Sequence, residues 1–89
     1  MTRQHVYYRG RVQGVGFRYT TVRVAAHYSV TGYVRNTYDG RVELVAEGQR
    51  GQVNAFITDL ADHMSGYITD TNVQDESYIG EFTGFDIRF

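Results

Sequence analysis

The stretch Val53-Asn54-Ala55-Phe56-Ile57-Thr58-Asp59-Leu60-Ala61-Asp62-His63-Met64 is the clearest element in the sequence. Val53, Phe56, Ile57, Leu60, Ala61 and Met64 recur at the i, i+3, i+4, i+7, i+8, i+11 spacing of one buried helical face. Ser65-Gly66 ends the helix. On its N-terminal side, Val42, Leu44 and Ala46 alternate against Arg41, Glu43, Val45 and Glu47, the period of a strand over Arg41 to Glu47, closed by Gly48. Thr31 to Asn36 is a second strand, and Tyr38-Asp39-Gly40 between them supplies a hairpin turn with Asp39 as its turn residue. A hairpin therefore feeds the helix.

Further out the same alternation of elements recurs. Gln4 to Arg9, with Val6, Tyr7 and Tyr8, reads as a strand ending at Gly10. Phe17 to about His27 reads as a helix with Val22, Ala25 and Ala26 on one face. The β-branched Thr20, Thr21, Val22 and Val24 weaken its intrinsic propensity. After the long helix, Val73 lies in a short strand near Asn72–Ser77. Phe85, Ile87 and Phe89 alternate with Asp86 and Arg88 in a closing strand. The order is β-α-β-β-α-β with an extra strand piece. It predicts an α+β, ferredoxin-like sandwich, an antiparallel sheet with two helices on one face, in a single domain over 1–89. Such a fold hosts enzymes, RNA binders and regulatory modules, so function has to come from a site.

Composition narrows the site. The chain has 89 residues, 42% hydrophobic and 21% charged, with a net charge of -1, which reads as globular. No basic face argues for nucleic acid, and no apolar run approaches membrane-spanning length. Met1 to His5 carries no signal-peptide core, so a cytoplasmic protein is the expectation; a monomer is expected as well. Cysteine is absent, which excludes disulfides, thiolate nucleophiles and cysteine zinc sites. Lysine is absent as well, so all nine basic residues are arginines. A Walker lysine, a Schiff base and a lysine general base are excluded. Any anion held by side-chain charge is held by arginine, whose planar fork suits phosphate oxygens. His5, His27 and His63 show no ligand spacing and read as non-ligands.

Gly10-Arg11-Val12-Gln13-Gly14-Val15-Gly16-Phe17-Arg18 follows a strand and opens a helix, the setting in which backbone amides converge on an anion. Arg18 lies in the first turn of that helix and can fold back over the same anion. The dinucleotide pattern fails, because its third glycine falls on Tyr19. On spacing alone the loop fits a phosphate site and a ligand-free glycine turn equally well.

The loop resembles the acylphosphatase signature G-x-V-Q-G-V-x-[FY]-R. A second signature of that family is met by Gly32-Tyr33-Val34-Arg35-Asn36, then Gly40, Val42 and Gly48. The likeness spans the whole chain, including Phe85 to Phe89. Tyr28-Ser29 departs from the family's usual Leu-Gly, and Ser65 to Ser77 lacks its prolines. The resemblance implies hydrolysis of small-molecule acyl phosphates to a carboxylate and inorganic phosphate, without metal or cofactor. It implies that Gln13, Gly14, Val15, Gly16, Phe17 and Arg18 bind the phosphoryl group, and that Arg18 and Asn36 are catalytic, with Asn36 orienting water.

Outside the resemblance, Asn36 reads as a turn residue and Arg18 as a solvated charge. Tyr33, Tyr38, Tyr67 and Tyr78 read as packing residues, with an acyl-binding surface as the alternative. Asp75-Glu76 reads as a solvated loop pair. The rival functions are a phosphate-binding or regulatory module without turnover, and a single-stranded RNA binder. The same segment also occurs within larger carbamoyl-transfer maturation proteins, whose remaining parts are not seen in these 89 residues.

Overall fold

A computed structural model describes residues 1–89. In chain order the elements are β1 (Thr2–Gly10), α1 (Phe17–Ala25), β2 (Val30–Asn36), β3 (Val42–Gly48), α2 (Arg50–His63), β4 (Ile68–Glu76) and β5 (Phe85–Arg88). The sheet order is β4-β1-β3-β2-β5. The first four strands pair antiparallel, as expected of the ferredoxin-like arrangement. The expectation of a purely antiparallel sheet needs one correction. β5 adds to β2 in parallel, with Val34 opposite Ile87, so the sheet is mixed. No helix is long and apolar enough to cross a membrane.

Even-numbered residues of the three inner strands face the helices. Val6, Tyr8, Val34, Val42, Leu44 and Ala46 pack there with Phe17, Val24 and Ala25 of α1 and with Val53, Phe56 and Leu60 of α2, followed by Met64. The α2 face is the one its spacing predicts. The α1 face is rotated from the predicted one: Phe17, Thr21, Val24 and Ala25 are buried, whereas Ala26 is exposed. Thr21 tolerates burial because its hydroxyl donates to the Phe17 carbonyl at 2.8 Å.

β4 begins at Ile68, well before the predicted Asn72. Its polar Thr69-Asp70-Thr71-Asn72 carries no strand pattern because this edge strand leaves both faces exposed. The ladder to β1, not side-chain burial, defines it. Asp75 and Glu76 are therefore strand residues, not a loop pair.

The helix-free face of the sheet holds a dense ionic network. Arg3 donates to Glu76 at 2.9 Å, to Glu47 at 3.2 Å and to Glu81 at 3.1 Å. His5 lies between Glu43, 2.7 Å away, and Glu76, 2.8 Å away. Tyr7 donates to Glu43 at 2.9 Å, and Arg35 pairs with the same carboxylate. The Ile79 and Gly80 amides close over Glu47 at 2.8 and 3.1 Å. Glu43 and Glu47, which alternate with the helix-facing residues of β3, are thus buried, Glu47 to 1% exposure.

Candidate active site

The loop between β1 and α1 is built to leave its amides free. Gly14 and Gly16 sit at φ of 75° and 76°, the left-handed region that side chains rarely adopt. Alternating them with Val15 turns successive N–H groups toward one side, the geometry of an anion nest. Gly16 is also the N-cap of α1, with no side chain capping it. No amide from Val12 through Tyr19 donates to another backbone group; the helical ladder starts with Thr20, which donates to the Gly16 carbonyl at 3.0 Å. The amides of the first helical turn face the loop unpaired, with the positive end of the helix dipole behind them.

A cavity of about 210 Å³ opens on these groups, lined by Val12, Gly14, Gly16, Phe17, Arg18, Tyr19 and Asn36. It brings together residues 18 positions apart in sequence, Arg18 from the first turn of α1 and Asn36 from the end of β2. Arg18 is half-buried and forms no ion pair. Its guanidinium lies over the Phe89 ring, 5.0 Å from the centroid, so its charge remains available to a ligand. The Asn36 Oδ1 is buried and has no hydrogen-bond partner. A buried acceptor without a donor costs about 1–3 kcal/mol, so Asn36 carries an unfilled demand for a donor such as water.

Of the predicted site residues, Gly14, Gly16, Phe17, Arg18 and Asn36 line this cavity. Val15 does not; its side chain packs against the core. Nor does Gln13, whose side chain turns to the hairpin, donating to the Thr37 and Arg41 carbonyls at 3.1 and 2.9 Å. The four tyrosines considered for an acyl surface are absent from the cavity lining. Tyr33 instead stacks edge-on against Phe82, and Arg11 lies over Tyr67. Tyr19 takes the place they vacate at the rim, 74% exposed. Its signal in the sequence is an aromatic residue on the outward side of an amphipathic helix, beside Arg18.

A larger cleft of about 640 Å³ lies away from the loop, lined by Arg23, Val24, Ala26, His27, Asp59 and His63. Its Arg23 and His63 occupy the last turns of their helices, where the carbonyl ends favour cations without a ligand. No buried unpartnered polar atom belongs to it. No group of three His, Cys, Asp or Glu side chains is placed to hold a metal ion.

Fold and site together define a ferredoxin-like α+β protein with an amide cradle, a free arginine and an unpaired asparagine around one small cavity. The acylphosphatase family model matches residues 4–87. An acylphosphatase from Syntrophus aciditrophicus is 44% identical over 90 aligned positions, covering 100% of this chain and 94% of that one. The crystal structure of acylphosphatase from Bacillus subtilis superposes with a TM-score of 0.90 at 31% identity, covering 100% of both chains. The structure of T. kodakarensis HypF contains a matching region at 31% identity and a TM-score of 0.85, which is 12% of that chain. The chain belongs to the acylphosphatase family, and with it to the hydrolases.

Proposed function

We propose that this chain cleaves the carboxyl–phosphate bond of small-molecule acyl phosphates with Arg18 and Asn36 as its catalytic residues. The observation that carries the reading is the convergence of Arg18, the loop glycines and an unpartnered Asn36 Oδ1 on one cavity. The loop amides and Arg18 hold the nonbridging phosphoryl oxygens, Arg18 through its bidentate fork. The water donates to Asn36 Oδ1, which turns its lone pair toward phosphorus on the side opposite the acyl oxygen. As the new P–O bond forms, the bridging P–O bond breaks and its electron pair leaves on the carboxylate.

The transition state is loose and the leaving group needs no proton, so positioning and charge stabilisation carry the chemistry. An asparagine amide is no base at neutral pH. The water's proton passes to a phosphoryl oxygen of the substrate itself. A cytoplasmic monomer is part of the same proposal.

The test is hydrolysis of benzoyl phosphate, with a chelator present, by the wild type, Arg18→Ala and Asn36→Ala. Turnover by the wild type and its loss in both variants is expected. A folded wild type without turnover would overturn the enzyme reading in favour of a phosphate-binding module. Full activity in either variant would overturn that residue's role. A pH–rate profile with an essential enzyme group titrating near neutrality would overturn the substrate's role as base.

A further inference from the structure

We infer that Gln13 is a positioning residue that sets the distance between the phosphate cradle and Asn36, and so governs the alignment of water rather than the affinity for phosphate. The inference rests on the catalytic reading of Arg18 and Asn36 above. The family resemblance places Gln13 within the phosphate cradle, and its side chain has a different task. Both amide hydrogens on Nε2 are spent on main-chain carbonyls, Thr37 at 3.1 Å and Arg41 at 2.9 Å. Carbonyl oxygens only accept, so the orientation of the amide group is fixed by its partners. What remains is Oε1, an acceptor, which has nothing to donate to a phosphate dianion. Gln13 can serve the cradle only through its backbone N–H.

The two carbonyls it grips are the mouth of the β2–β3 hairpin. Thr37 follows Asn36 directly, and its amide donates to the Arg41 carbonyl at 2.8 Å. The Thr37 hydroxyl accepts from the Arg41 amide at 3.0 Å and gives its one hydrogen to the Asp39 carboxylate at 2.5 Å. The hairpin mouth is therefore a rigid, fully bonded unit with Asn36 at its edge. Elsewhere the glycine loop is tied at its start, where the Arg11 amide donates to the Tyr67 carbonyl at 2.9 Å, and at its end, where Thr20 donates to Gly16. Between those ties, the Gln13 side chain makes the only hydrogen bonds that join the loop to the hairpin. Cutting it frees the cradle to shift relative to Asn36 while the cradle's own amides keep their arrangement. Reaction rate is steeply sensitive to such a shift, with about 1 Å of misplacement costing roughly 100-fold.

The experiment measures kcat and KM for benzoyl phosphate, and inhibition by inorganic phosphate, in Gln13→Met and Gln13→Glu. Met fills the same length without donors. Glu keeps the shape but sets a carboxylate against two carbonyls. Gln13 is exposed, so both variants are expected to fold, which circular dichroism checks. We expect kcat to fall roughly 10- to 100-fold, with KM and phosphate inhibition within about 3-fold of wild type, and Glu at least as impaired as Met. In an Asn36→Ala background the same substitutions are expected to add less than about 2-fold, because both residues act through one water. Unchanged kcat in the single variants overturns the inference. So does a loss confined to KM and phosphate affinity, which would make the side chain a phosphate ligand. Losses that multiply with Asn36→Ala also overturn it. An inactive wild type sinks the underlying catalytic reading instead, so the two failures are separable.

Discussion

The cradle and the helix-free face of the sheet are both rich in polar groups, and they treat those groups in opposite ways. At the centre of the sheet face the charges are partnered: Arg3 meets three carboxylates, Glu43 accepts from His5, Tyr7 and Arg35, and Glu47 takes two amides as well as Arg3. At the cradle the loop amides donate to no backbone group, Arg18 has no carboxylate, and Asn36 Oδ1 has no donor. Satisfied groups hold the fold together, and polar groups left open at a cavity mark where a ligand completes the set. By this criterion the denser cluster is structural and the sparser one is the candidate site.

The largest expected effect sits at the cradle. Arg18→Ala is expected to lower kcat/KM by about 1,000-fold or more, the scale of a lost phosphoryl-stabilising arginine. Its effect on the unfolding free energy in urea should stay within about 0.5 kcal/mol, as for a surface change. Asn36→Ala should cost about 100-fold, mainly in kcat. The reverse split would break the comparison, because Arg18 and Asn36 would then be structural.

Glu47→Ala probes the other region. It strips a partner from buried Arg3 and leaves the Ile79 and Gly80 amides without an acceptor. Removing one member of a buried charge cluster costs about 3 kcal/mol. We expect that loss in urea unfolding, with kcat of the folded protein unchanged.

The two regions were not equally legible in the sequence. The cradle is contiguous, so its glycines stand out by spacing, although spacing alone fits a ligand-free turn equally well; the roles of Arg18 and Asn36 come from the family resemblance. The sheet-face network joins residues up to 78 positions apart, Arg3 with Glu81, and no local pattern announces it. Alternation in β3 sets Glu43 and Glu47 apart from Val42, Leu44 and Ala46, and they lie on the face opposite the core. Burial by Arg3, His5 and the chain near Ile79 depends on tertiary pairing that periodicity does not encode. The first half of β4 is silent in the sequence for a related reason: an edge strand exposed on both faces has no apolar alternation to read. At the cradle, the turn of the Gln13 side chain toward the hairpin depends on where Thr37 and Arg41 fold, which lies outside its own motif.

Acid titration sharpens the comparison more gently. Burial alone would raise the Glu43 carboxyl, but hydrogen bonds from His5, Arg35 and Tyr7 outweigh it and hold the group below its ordinary value of 4.5. Glu76 is lowered by Arg3 and His5. In the hairpin, Asp39 is drawn down to about 2, first by the Thr37 hydroxyl and then by Arg41. A carboxylate whose folded value lies below its unfolded one stabilises fully above the unfolded value, and that stability is lost as pH falls through the folded value. Urea unfolding is therefore expected to weaken progressively below about pH 4.5, and Glu43→Gln to flatten part of the decline. A decline of the same slope in Glu43→Gln would show that this carboxylate carries none of it.

The smallest effect is the sharpest check on reading unpaired atoms as functional. Two buried side-chain polar atoms have no partner, Asn36 Oδ1 and the Tyr8 hydroxyl. Tyr8 is fully buried beneath the cradle, 5.1 Å from the Phe17 ring between centroids, and burial pushes its phenol well above the ordinary range. It does not line the cavity, and by the cavity criterion its hydroxyl is a cost to folding. Tyr8→Phe removes that cost while keeping the ring, and is expected to stabilise by about 1 kcal/mol, a rise in Tm of roughly 4–8 °C for a domain of this size, with kcat unchanged. The same defect at Asn36 is expected to sustain turnover, because the cavity gives its oxygen access to water. If Tyr8→Phe instead lowers kcat, the unpartnered hydroxyl belongs to the site, and lining the cavity is the wrong criterion for separating the two.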